Sequence, residues 1–290
     1  MIKTAVIGAS GYIGNHLMNK YREQYPDVVG TTFSNSFNDL HPFDIRKPEI
    51  SNLNLEETGH KAVIITVAKS NIAYCENNPI NAYKVNVEGT IKLIKQLSKT
   101  SLKIIFLSTD YVFDGIKGNF DDKHFLGPST NYGKHKEIIE NQIKILTDNF
   151  LVLRLSKIYG LEKGDNTILD EAANLLSEGM ELSAATDQFF CPTLVHDLID
   201  VVIEIQKKDL KGYLNVCSPE IWSRFKMHSK LAQSMGVDKK LVKKIKLYDF
   251  PQMVGRPLDT SMVTTILDQN IQYKFTAFED SISKVANNYI

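Results

Sequence analysis

The opening stretch of the chain constrains its fold more than any other part of the sequence. Thr4–Ile7 is a short apolar run that contains β-branched residues, which is typical of a strand buried on both faces. Apolar residues then recur every four positions, as they do on a helix, at Ile13, Leu17 and Tyr21. Three glycines stand at G-x-x-G-x-x-G spacing where the two patterns meet, at Gly8, Gly11 and Gly14. The stretch therefore predicts a strand, a tight glycine-rich turn and a helix.

This order of elements is the context in which a glycine triplet binds a dinucleotide. The first glycine permits the tight turn, the second lets the backbone approach a pyrophosphate, and the third lets the helix pack close to the strand. The free N–H groups at the helix N-terminus then attract the anion. The alternative is an ordinary strand–helix turn in which glycine serves geometry alone. We favour the dinucleotide site because a strand is predicted before the motif and a helix after it.

A second predicted strand, Val28–Phe33, bears on which dinucleotide is bound. In folds of this kind the strand ends at the adenosine ribose, where an acidic residue binds the 2′-hydroxyl of NAD. Thr32 and Ser34 stand there instead, and we predict that they contact the cofactor. Since no carboxylate repels a 2′-phosphate, the sequence favours NADPH slightly over NADH. No arginine stands at this position to bind that phosphate.

The rest of the chain alternates between apolar strands and amphipathic helices. Further strands are predicted at three places, 62–67, 103–107 and 150–155. Between them, helices are predicted to begin at Pro79 and at about Tyr132. This alternation predicts an α/β fold with a Rossmann-like, doubly wound parallel sheet. We expect residues 1–158 to form the dinucleotide-binding domain, with some later segments returning to it, and residues 159–290 to form mainly a smaller substrate-binding part.

A tyrosine–lysine pair follows one of the predicted strands, and ligands of such sheets bind beyond the carboxyl ends of the strands. Tyr132 and Lys136 are one helical turn apart on the same predicted face. An adjacent ammonium and an oxidised nicotinamide are expected to lower the pKa of the tyrosine from near 10 towards neutrality. Tyr132 can then exchange a proton with a carbonyl oxygen as hydride is transferred. Thr109, at a strand end, can donate a hydrogen bond to the same oxygen.

Composition narrows the range of partners. Lys and Arg together number 34, as do Asp and Glu, so the net charge is zero and gives no support to binding of nucleic acid or of an anionic membrane. No apolar run approaches the roughly 18 residues of a membrane span. The 3 cysteines are scattered without metal-ligand spacing. The sequence thus favours a cytoplasmic protein with reduced thiols and no metal.

Several further segments occur in an order that is typical of one family. They are GASGYIG at 8–14, CENNPINAYKVNVEGT at 75–90, LSTDYVFDG at 107–115, YGKHKEIIE at 132–140, RLSKIYG at 154–160, DQFFCPT at 187–193 and RPLDTSM at 256–262. Through these segments the sequence resembles the extended short-chain dehydrogenases/reductases, and within them the dTDP-4-dehydrorhamnose reductase group. The resemblance implies reduction, with NADPH or NADH, of the 4-keto group of a nucleotide-activated deoxysugar.

The resemblance also implies roles for the residues at matching positions. The catalytic places are taken by Thr109, Tyr132 and Lys136. Besides Tyr132 and Lys136, the residues expected to contact the cofactor are Gly8, Ser10, Gly11, Tyr12, Ile13, Gly14, Asp44, Ile45, Val67, Ala68, Lys69, Asn86 and Ser108. Tyr111 falls where the family contacts the sugar nucleotide. Apart from the resemblance, we expect the sugar nucleotide also to contact Thr109, Asp110, Lys157, Gln188 and Arg256. For Gln188 the alternative is a role in shaping a loop, and for Arg256 it is bracing of the C-terminal helix.

Departures from the group's pattern keep other functions open. Lys157 stands where the group carries a tryptophan that packs on its substrate, so the sugar need not be of the rhamnose type. A nucleotide-sugar 4,6-dehydratase carries Asp-Glu after the threonine, whereas Tyr111 follows Asp110 here, which argues against dehydration. The remaining alternatives are a nucleotide-sugar epimerase and a non-catalytic NAD(P)-binding subunit like the regulatory subunit of methionine adenosyltransferase. The oligomeric state stays open, and a homodimer is one arrangement that the sequence allows.

Overall fold

The computed structural model describes residues 1–34, 39–250, 253 and 255–290. In chain order its strands are β1 (Thr4–Ile7), β2 (Thr31–Thr32), β3 (His41–Pro42), β4 (Ala62–Ile65), β5 (Lys103–Thr109), β6 (Phe150–Leu155), β7 (Ile158–Tyr159), β8 (Leu182–Ala185), β9 (Phe189–Phe190), β10 (Thr193–Leu194), β11 (Gly212–Val216), β12 (Trp222–Ser223) and β13 (Val242–Ile245). Its α-helices are α1 (Tyr12–Arg22), α2 (Ile72–Asn77), α3 (Pro79–Tyr83), α4 (Thr90–Leu97), α5 (Asn131–Leu146), α6 (Ile168–Ser177), α7 (Val195–Lys207), α8 (Arg224–Ser234), α9 (Thr265–Asn270) and α10 (Phe278–Asn287).

The chain forms two compact units. The first contains three segments, residues 1–112, 126–154 and 199–214. The second contains the other three, residues 113–125, 155–198 and 215–290. The assignment of cofactor binding to residues 1–158 and of substrate binding mainly to residues 159–290 stays a prediction.

The first unit is built on a five-stranded sheet with the order β1-β4-β5-β6-β11. Neighbouring strands run parallel, with Ala5 opposite Val63 and Val63 opposite Ile104. These residues pack into one apolar core with helix residues such as Leu93 and Ile139. Because side chains on both faces of these strands are buried, the strands read as continuous apolar runs rather than as alternating patterns. The predicted α/β fold with a parallel sheet is confirmed.

The second predicted strand is shorter than its apolar pattern indicates. Only Thr31–Thr32 forms a ladder, and its partner is β3, in a stretch that the sequence presents as a polar loop. The N–H groups of Val28 and Val29 are used elsewhere, since they donate to the Tyr25 carbonyl oxygen and to His60 Nε2. The β2–β3 pairing brings two polar segments side by side, which matters for the site below.

The two helices predicted to carry functional residues are present, with one irregularity. Pro79 begins α3 after the N-cap residue Asn78, as predicted for a proline in the first turn. Between α3 and α4 the residues Lys84–Gly89 form a π-helical segment. α5 begins one residue before Tyr132, and the hydroxyl of its N-cap residue, Thr130, accepts an N–H of the first turn.

The second unit contains helices and two-stranded sheets around its own core. Leu169, Leu176, Leu231 and Ile282, from α6, α8 and α10, are fully or almost fully buried in it. The strands β8 and β13 pair in parallel, and β9 and β12 pair antiparallel. These helices follow apolar stripes with a period of three to four residues, which is why they bury one face each.

Two kinds of feature are missing from the described ranges. No helix among residues 1–34, 39–250, 253 and 255–290 has the length and apolar content that crossing a membrane requires. Within the same residues, no three or more side chains of His, Cys, Asp or Glu are grouped so that they could hold a metal ion.

Candidate active site

The glycine turn packs the start of α1 against β1. Gly8 has a φ of +98°, a left-handed conformation that glycine adopts without strain. A Cβ on Gly14 would lie 2.2 Å from the Gly8 carbonyl oxygen, so only glycine allows this approach. At Gly11, the N-cap of α1, an added Cβ would come no closer than 3.4 Å to the described atoms around it. Gly11 therefore leaves room at the helix N-terminus, as the approach of a pyrophosphate requires.

A cavity of about 530 Å³ opens beside this turn, a size that suits a nucleotide. Many of the residues predicted to contact the cofactor line this cavity. They are Gly8, Ser10, Gly11, Thr32, Asp44, Ile45, Val67, Ala68 and Lys69. Tyr12, Ile13 and Gly14 form the first turn of α1, directly after the lining residue Gly11. The residues present therefore fit a dinucleotide, and their individual contacts with it stay predictions.

Hydroxyl groups join the glycine turn to the end of β2. The Gly8 N–H donates to Thr31 Oγ1 at 3.0 Å, and Thr32 Oγ1 lies 3.1 Å from Ser10 Oγ. The N–H of Ser34 donates to Thr32 Oγ1 at 3.2 Å. The predicted pair Thr32 and Ser34 thus belongs to one hydroxyl cluster with Ser10. Neutral groups stand where a carboxylate binds the ribose of NAD in related folds.

An arginine that the sequence analysis did not single out also lines the cavity. Arg46 holds both carboxylate oxygens of Asp44, with Nε 2.8 Å from Oδ1 and Nη2 2.7 Å from Oδ2. Its guanidinium lies 5.1 Å from the ring centre of Phe33. Hydrogen bonds from Arg46 lower the pKa of Asp44 below its usual range. No arginine stands at the end of β2 itself, but the pairing of β3 with β2 brings Arg46, four residues after β3, to the cavity.

Asn86 ties one wall of the cavity to the helix that carries Tyr132. Its side chain accepts the N–H of Lys69 at 2.7 Å and donates to the Lys69 carbonyl oxygen at 2.9 Å. Its Nδ2 also lies 3.4 Å from Nδ1 of His135 on α5. Asn86 is buried and belongs to the π-helical segment. These contacts fix the backbone of the cavity residue Lys69 relative to the helical turn between Tyr132 and Lys136.

Tyr132 and Lys136 lie in the first two turns of α5. An added Cβ at Gly133 would lie 2.1 Å from the carbonyl oxygen of Tyr111, so glycine lets the helix begin against that backbone. Lys136 Nζ lies 5.8 Å from the ring centre of Tyr132 and donates to the carbonyl oxygen of Leu107 at 2.7 Å. The structure thus brings the predicted pair together and anchors the ammonium at β5.

Burial acts on these two ionisable groups in opposite directions. It raises the pKa of the half-buried Tyr132 phenol above its usual range, and the negative charge of Asp110 adds to the effect. It lowers the pKa of Lys136 to about 7, although the charge of Glu140 raises it. The expected fall of the pKa of Tyr132 towards neutrality includes the charge of an oxidised nicotinamide and stays a prediction. Among the protein's own groups, desolvation dominates and acts in the opposite direction. Tyr132 is therefore a protonated phenol at neutral pH.

Thr109, the third predicted catalytic residue, ends β5 in a small hydrogen-bond network. Its Oγ1 donates to Asp110 Oδ1 at 3.0 Å and accepts the N–H of Tyr111 at 3.3 Å. Thr109 and Asp110 are buried, whereas Tyr111 is half-buried. A substrate oxygen would replace Asp110 as the acceptor of the Thr109 hydroxyl proton. The predicted role of Thr109 thus requires one hydrogen bond to change.

Next to Lys136 on α5 lies a buried ion pair that the sequence analysis also missed. Glu140 accepts Arg154 Nη2 at 2.8 Å and the Ser108 hydroxyl at 2.6 Å. The side chains of Glu140 and Arg154 are 1% and 5% exposed. The hydroxyl of Ser108, a predicted cofactor contact, is therefore already engaged. The four-residue spacing of Tyr132, Lys136 and Glu140 was the available signal for Glu140, since it places all three on one helix face. It gave no signal for Arg154, which lies on β6.

The substrate residues predicted in the second unit have different surroundings. Gln188 is buried, and its Oε1 accepts Arg224 Nε at 2.7 Å. Lys157 is exposed. Burial, followed by the charges of Arg224 and Lys157, lowers the pKa of His228 to about 3. Arg256 has a buried Nε without a hydrogen-bond partner among the residues that the structure describes. Contact of these residues with a sugar nucleotide stays a prediction.

The chain is similar to known proteins over nearly its whole length. The chain is 27% identical over 286 residues to a probable low-salt glycan biosynthesis reductase of Haloferax volcanii, and the match covers 96% of this chain and 95% of the relative. It is 26% identical to a dTDP-4-dehydrorhamnose reductase of Aggregatibacter actinomycetemcomitans over 93% of each chain. A solved structure of dTDP-4-dehydrorhamnose reductase from Bacillus anthracis in complex with NADP has a TM-score of 0.85 at 23% identity, and covers 98% of this chain and 99% of that one.

A family model covers the segments from which the resemblance was inferred. The model described as the RmlD substrate binding domain matches residues 2–290. The match includes the glycine turn, the Tyr132–Lys136 pair and the C-terminal segment that contains Arg256, and the resemblance inferred from the sequence is confirmed. The chain therefore belongs to the RmlD substrate binding domain family.

Proposed function

We propose that the protein is an NADPH-dependent reductase of the 4-keto group of a nucleotide-activated deoxysugar, with dTDP-4-dehydrorhamnose as the leading substrate. The observation that carries the proposal is the pairing of Tyr132 with Lys136, joined through His135 and Asn86 to the wall of the glycine-turn cavity. The names of the relatives, a glycan biosynthesis reductase and a dTDP-4-dehydrorhamnose reductase, support it. So does the structural neighbour that binds NADP.

The glycine turn and the cavity would hold the dinucleotide. Gly11 leaves room for the pyrophosphate at the N-terminus of α1, and the hydroxyl groups of Ser10 and Thr32 stand where a ribose would bind. Lys69, whose backbone is fixed by Asn86, would border the nicotinamide end. When bound, the reduced nicotinamide supplies the hydride that no side chain provides.

Tyr132 would supply the proton that accompanies the hydride. Since its pKa is raised, the phenol is protonated at neutral pH and can donate to the carbonyl oxygen as negative charge develops there. The Lys136 ammonium, 5.8 Å from the ring centre, favours the phenolate that is left. The hydroxyl of Thr109 would donate a second hydrogen bond to the same oxygen.

We assign recognition of the sugar nucleotide to Asp110, Tyr111, Lys157, Gln188 and Arg256. Asp110 and Tyr111 directly follow the catalytic threonine. Arg256 suits a diphosphate, because a guanidinium can donate two parallel hydrogen bonds to a phosphate. Lys157 and Gln188 would then contact the sugar.

The test is a turnover assay with NADPH and 4-keto sugars linked to dTDP, UDP or GDP. We expect oxidation of NADPH with at least one of these substrates, and the fastest reaction with the dTDP sugar. NADPH binding without turnover of any of them would contradict the proposal and favour a non-catalytic subunit. Interconversion of C4 epimers without net oxidation of NADPH would contradict it in favour of an epimerase.

A further inference from the structure

Arg46 places a positive charge at the end of the cavity where the hydroxyl cluster lies. Its Nε and Nη2 bond to Asp44, whereas Nη1 makes no hydrogen bond within residues 1–34, 39–250, 253 and 255–290. The side chain is 51% exposed, so Nη1 can reach a ligand. The ring of Phe33, 5.1 Å from the guanidinium carbon, supports the guanidinium from one side. Arg46, Phe33 and Asp44 all line the cavity.

Among the described residues, the one carboxylate that lines the cavity is that of Asp44, and it is paired with Arg46. Residues 31–38 include no Asp or Glu in the sequence. Asp39 follows them, and its Oδ2 lies 2.6 Å from Arg22 Nη1. Asp44 is neutralised by Arg46 itself. The end of the cavity therefore combines hydroxyl donors with one guanidinium whose Nη1 is not used in its pairing with Asp44. Hydroxyl and guanidinium donors together are the groups that bind a phosphate monoester.

We propose that Arg46 selects NADPH over NADH by donating hydrogen bonds from its guanidinium to the 2′-phosphate, beside the hydroxyl groups of Ser10 and Thr32. The inference rests on the proposed function, because it requires that the cavity hold a nicotinamide dinucleotide. It goes beyond that function by naming the residue that discriminates between the two cofactors. Asp44 acts as a positioning residue, since its two oxygens fix the plane of the guanidinium.

Arg46 could favour NADPH over NADH in a second way, which the experiment must distinguish from direct binding of the 2′-phosphate. Without Arg46, the carboxylate of Asp44 would stand unpaired in the cavity and would repel a 2′-phosphate. Arg46 could then favour NADPH only by neutralising Asp44. The two routes differ in what happens when both side chains are made neutral.

The test uses binding of 2′,5′-ADP and of 5′-AMP, measured by calorimetry on the full chain. These ligands differ only in the 2′-phosphate. The ratio used here is the dissociation constant of 5′-AMP divided by that of 2′,5′-ADP, and it measures how much the 2′-phosphate contributes to binding. Wild type should bind 2′,5′-ADP at least about tenfold more tightly, and Arg46→Ala should lower the ratio by about 10- to 100-fold, as expected for a charged hydrogen bond. The matched control is Lys47→Ala, which removes an exposed positive charge next in sequence and should change the ratio by less than about twofold.

The double variant Asp44→Asn/Arg46→Ala separates the two routes. If Arg46 binds the phosphate directly, the double variant keeps the low ratio of Arg46→Ala. A ratio restored to the wild-type value would overturn the proposal, as would wild-type protein that binds both ligands equally or binds neither. Circular dichroism of each variant shows whether it is folded, and Arg46→Lys, which keeps the charge, serves as a second folded variant with an expected intermediate ratio.

The result of this binding test is independent of the result of the turnover assay that tests the proposed function. Neither ligand contains nicotinamide or a sugar to be reduced, so a failure of reductase turnover leaves the measured ratio intact. Conversely, a loss of discrimination between the two ligands leaves the keto-reductase proposal standing with either cofactor.

Discussion

The surroundings of Tyr132 and Lys136 on α5 shift their pKa values in opposite directions. Tyr132 is kept protonated by burial and by Asp110, while Lys136, with a pKa of about 7, is balanced between ammonium and amine. Glu140 is held by Arg154 in a buried pair. A reductase needs a proton donor before hydride transfer and a cation near the phenolate after it. The directions of these two pKa shifts suit that order of events.

His228 gives a residue-scale prediction about stability. Both of its ring nitrogens are buried without hydrogen-bond partners in the part of the chain that the structure describes, and its pKa is lowered to about 3. In the unfolded chain the pKa returns to about 6.5, so between pH 6.5 and 3 the unfolded chain binds a proton that the folded chain does not. The free energy of unfolding therefore falls as the pH falls through this range.

We expect His228→Leu to remove the part of the acid-induced loss of stability that is due to His228. Between pH 7 and pH 5 the wild type should lose about 2 kcal/mol more free energy of unfolding than the variant, as measured by urea denaturation. At pH 7 the variant should be at least as stable as wild type, because a buried ring without partners costs stability. The control His41→Leu changes an exposed residue and should leave the acid loss unchanged. Equal acid losses in wild type and His228→Leu would contradict the account.

The residues that the sequence predicted well are those positioned by local geometry. Tyr132 and Lys136 are one helical turn apart, and a helix of any length brings them together. Arg46 was missed because its place depends on the pairing of β2 with β3, which no local pattern indicates. The effect of burial on the pKa of Tyr132 was also missed, since it depends on segments that are distant along the chain.

At the scale of elements, the turn between β1 and α1 assigns different tasks to its glycines. Gly14 permits close packing, and Gly11 leaves space for a ligand. We expect Gly14→Ala to lower the free energy of unfolding by about 1–3 kcal/mol, because its Cβ would lie 2.2 Å from the Gly8 carbonyl oxygen. The matched variant Gly11→Ala should keep the stability within about 0.5 kcal/mol but weaken NADPH binding. Denaturation measures the stability of each variant, and calorimetry measures its binding of NADPH. A loss of stability in Gly11→Ala but not in Gly14→Ala would contradict these roles of the two glycines.

The helical region from Pro79 to Leu97 shows a feature that the helical periodicity of apolar residues does not predict. The sequence predicted a helix that begins at Pro79, and the structure interrupts the helical region with the π-helical residues Lys84–Gly89. The inserted residue of a π-helical turn changes which side chains face inward, and such turns often occur at functional sites. Asn86 lies in this segment and reaches Lys69 and His135. A pattern with a period of 3.6 residues contains no signal for this change.

For the whole molecule, the first unit needs residues from three segments of the chain. Residues 199–214 supply most of α7 and the first part of β11, an edge strand of the five-stranded sheet. Gln206 of α7 accepts the hydroxyl of Tyr21 at 2.9 Å and donates to Thr4 Oγ1 at 3.0 Å. Both partners are fully buried. A boundary near residue 158 thus leaves the core of this unit incomplete.

We therefore expect the fragment 1–158 not to fold on its own. It lacks the strand that covers β6 and the helix that buries Tyr21, so it exposes a sheet edge and apolar surface and should aggregate. Thermal unfolding followed by circular dichroism, with the full chain as control, tests this. A fragment that melts cooperatively and binds NADPH would contradict the expectation.

The most direct test of the proposed reaction uses NADPH with both hydrogens at C4 of the nicotinamide replaced by deuterium, and follows the deuterium into the sugar in wild type and in Tyr132→Phe. The account predicts that wild type places deuterium at C4 of the reduced sugar. It also predicts that Tyr132→Phe, which has lost its proton donor, reacts at least about 100-fold more slowly while it binds NADPH normally. A product without deuterium at C4, or a Tyr132→Phe variant that reacts as fast as wild type, would contradict it.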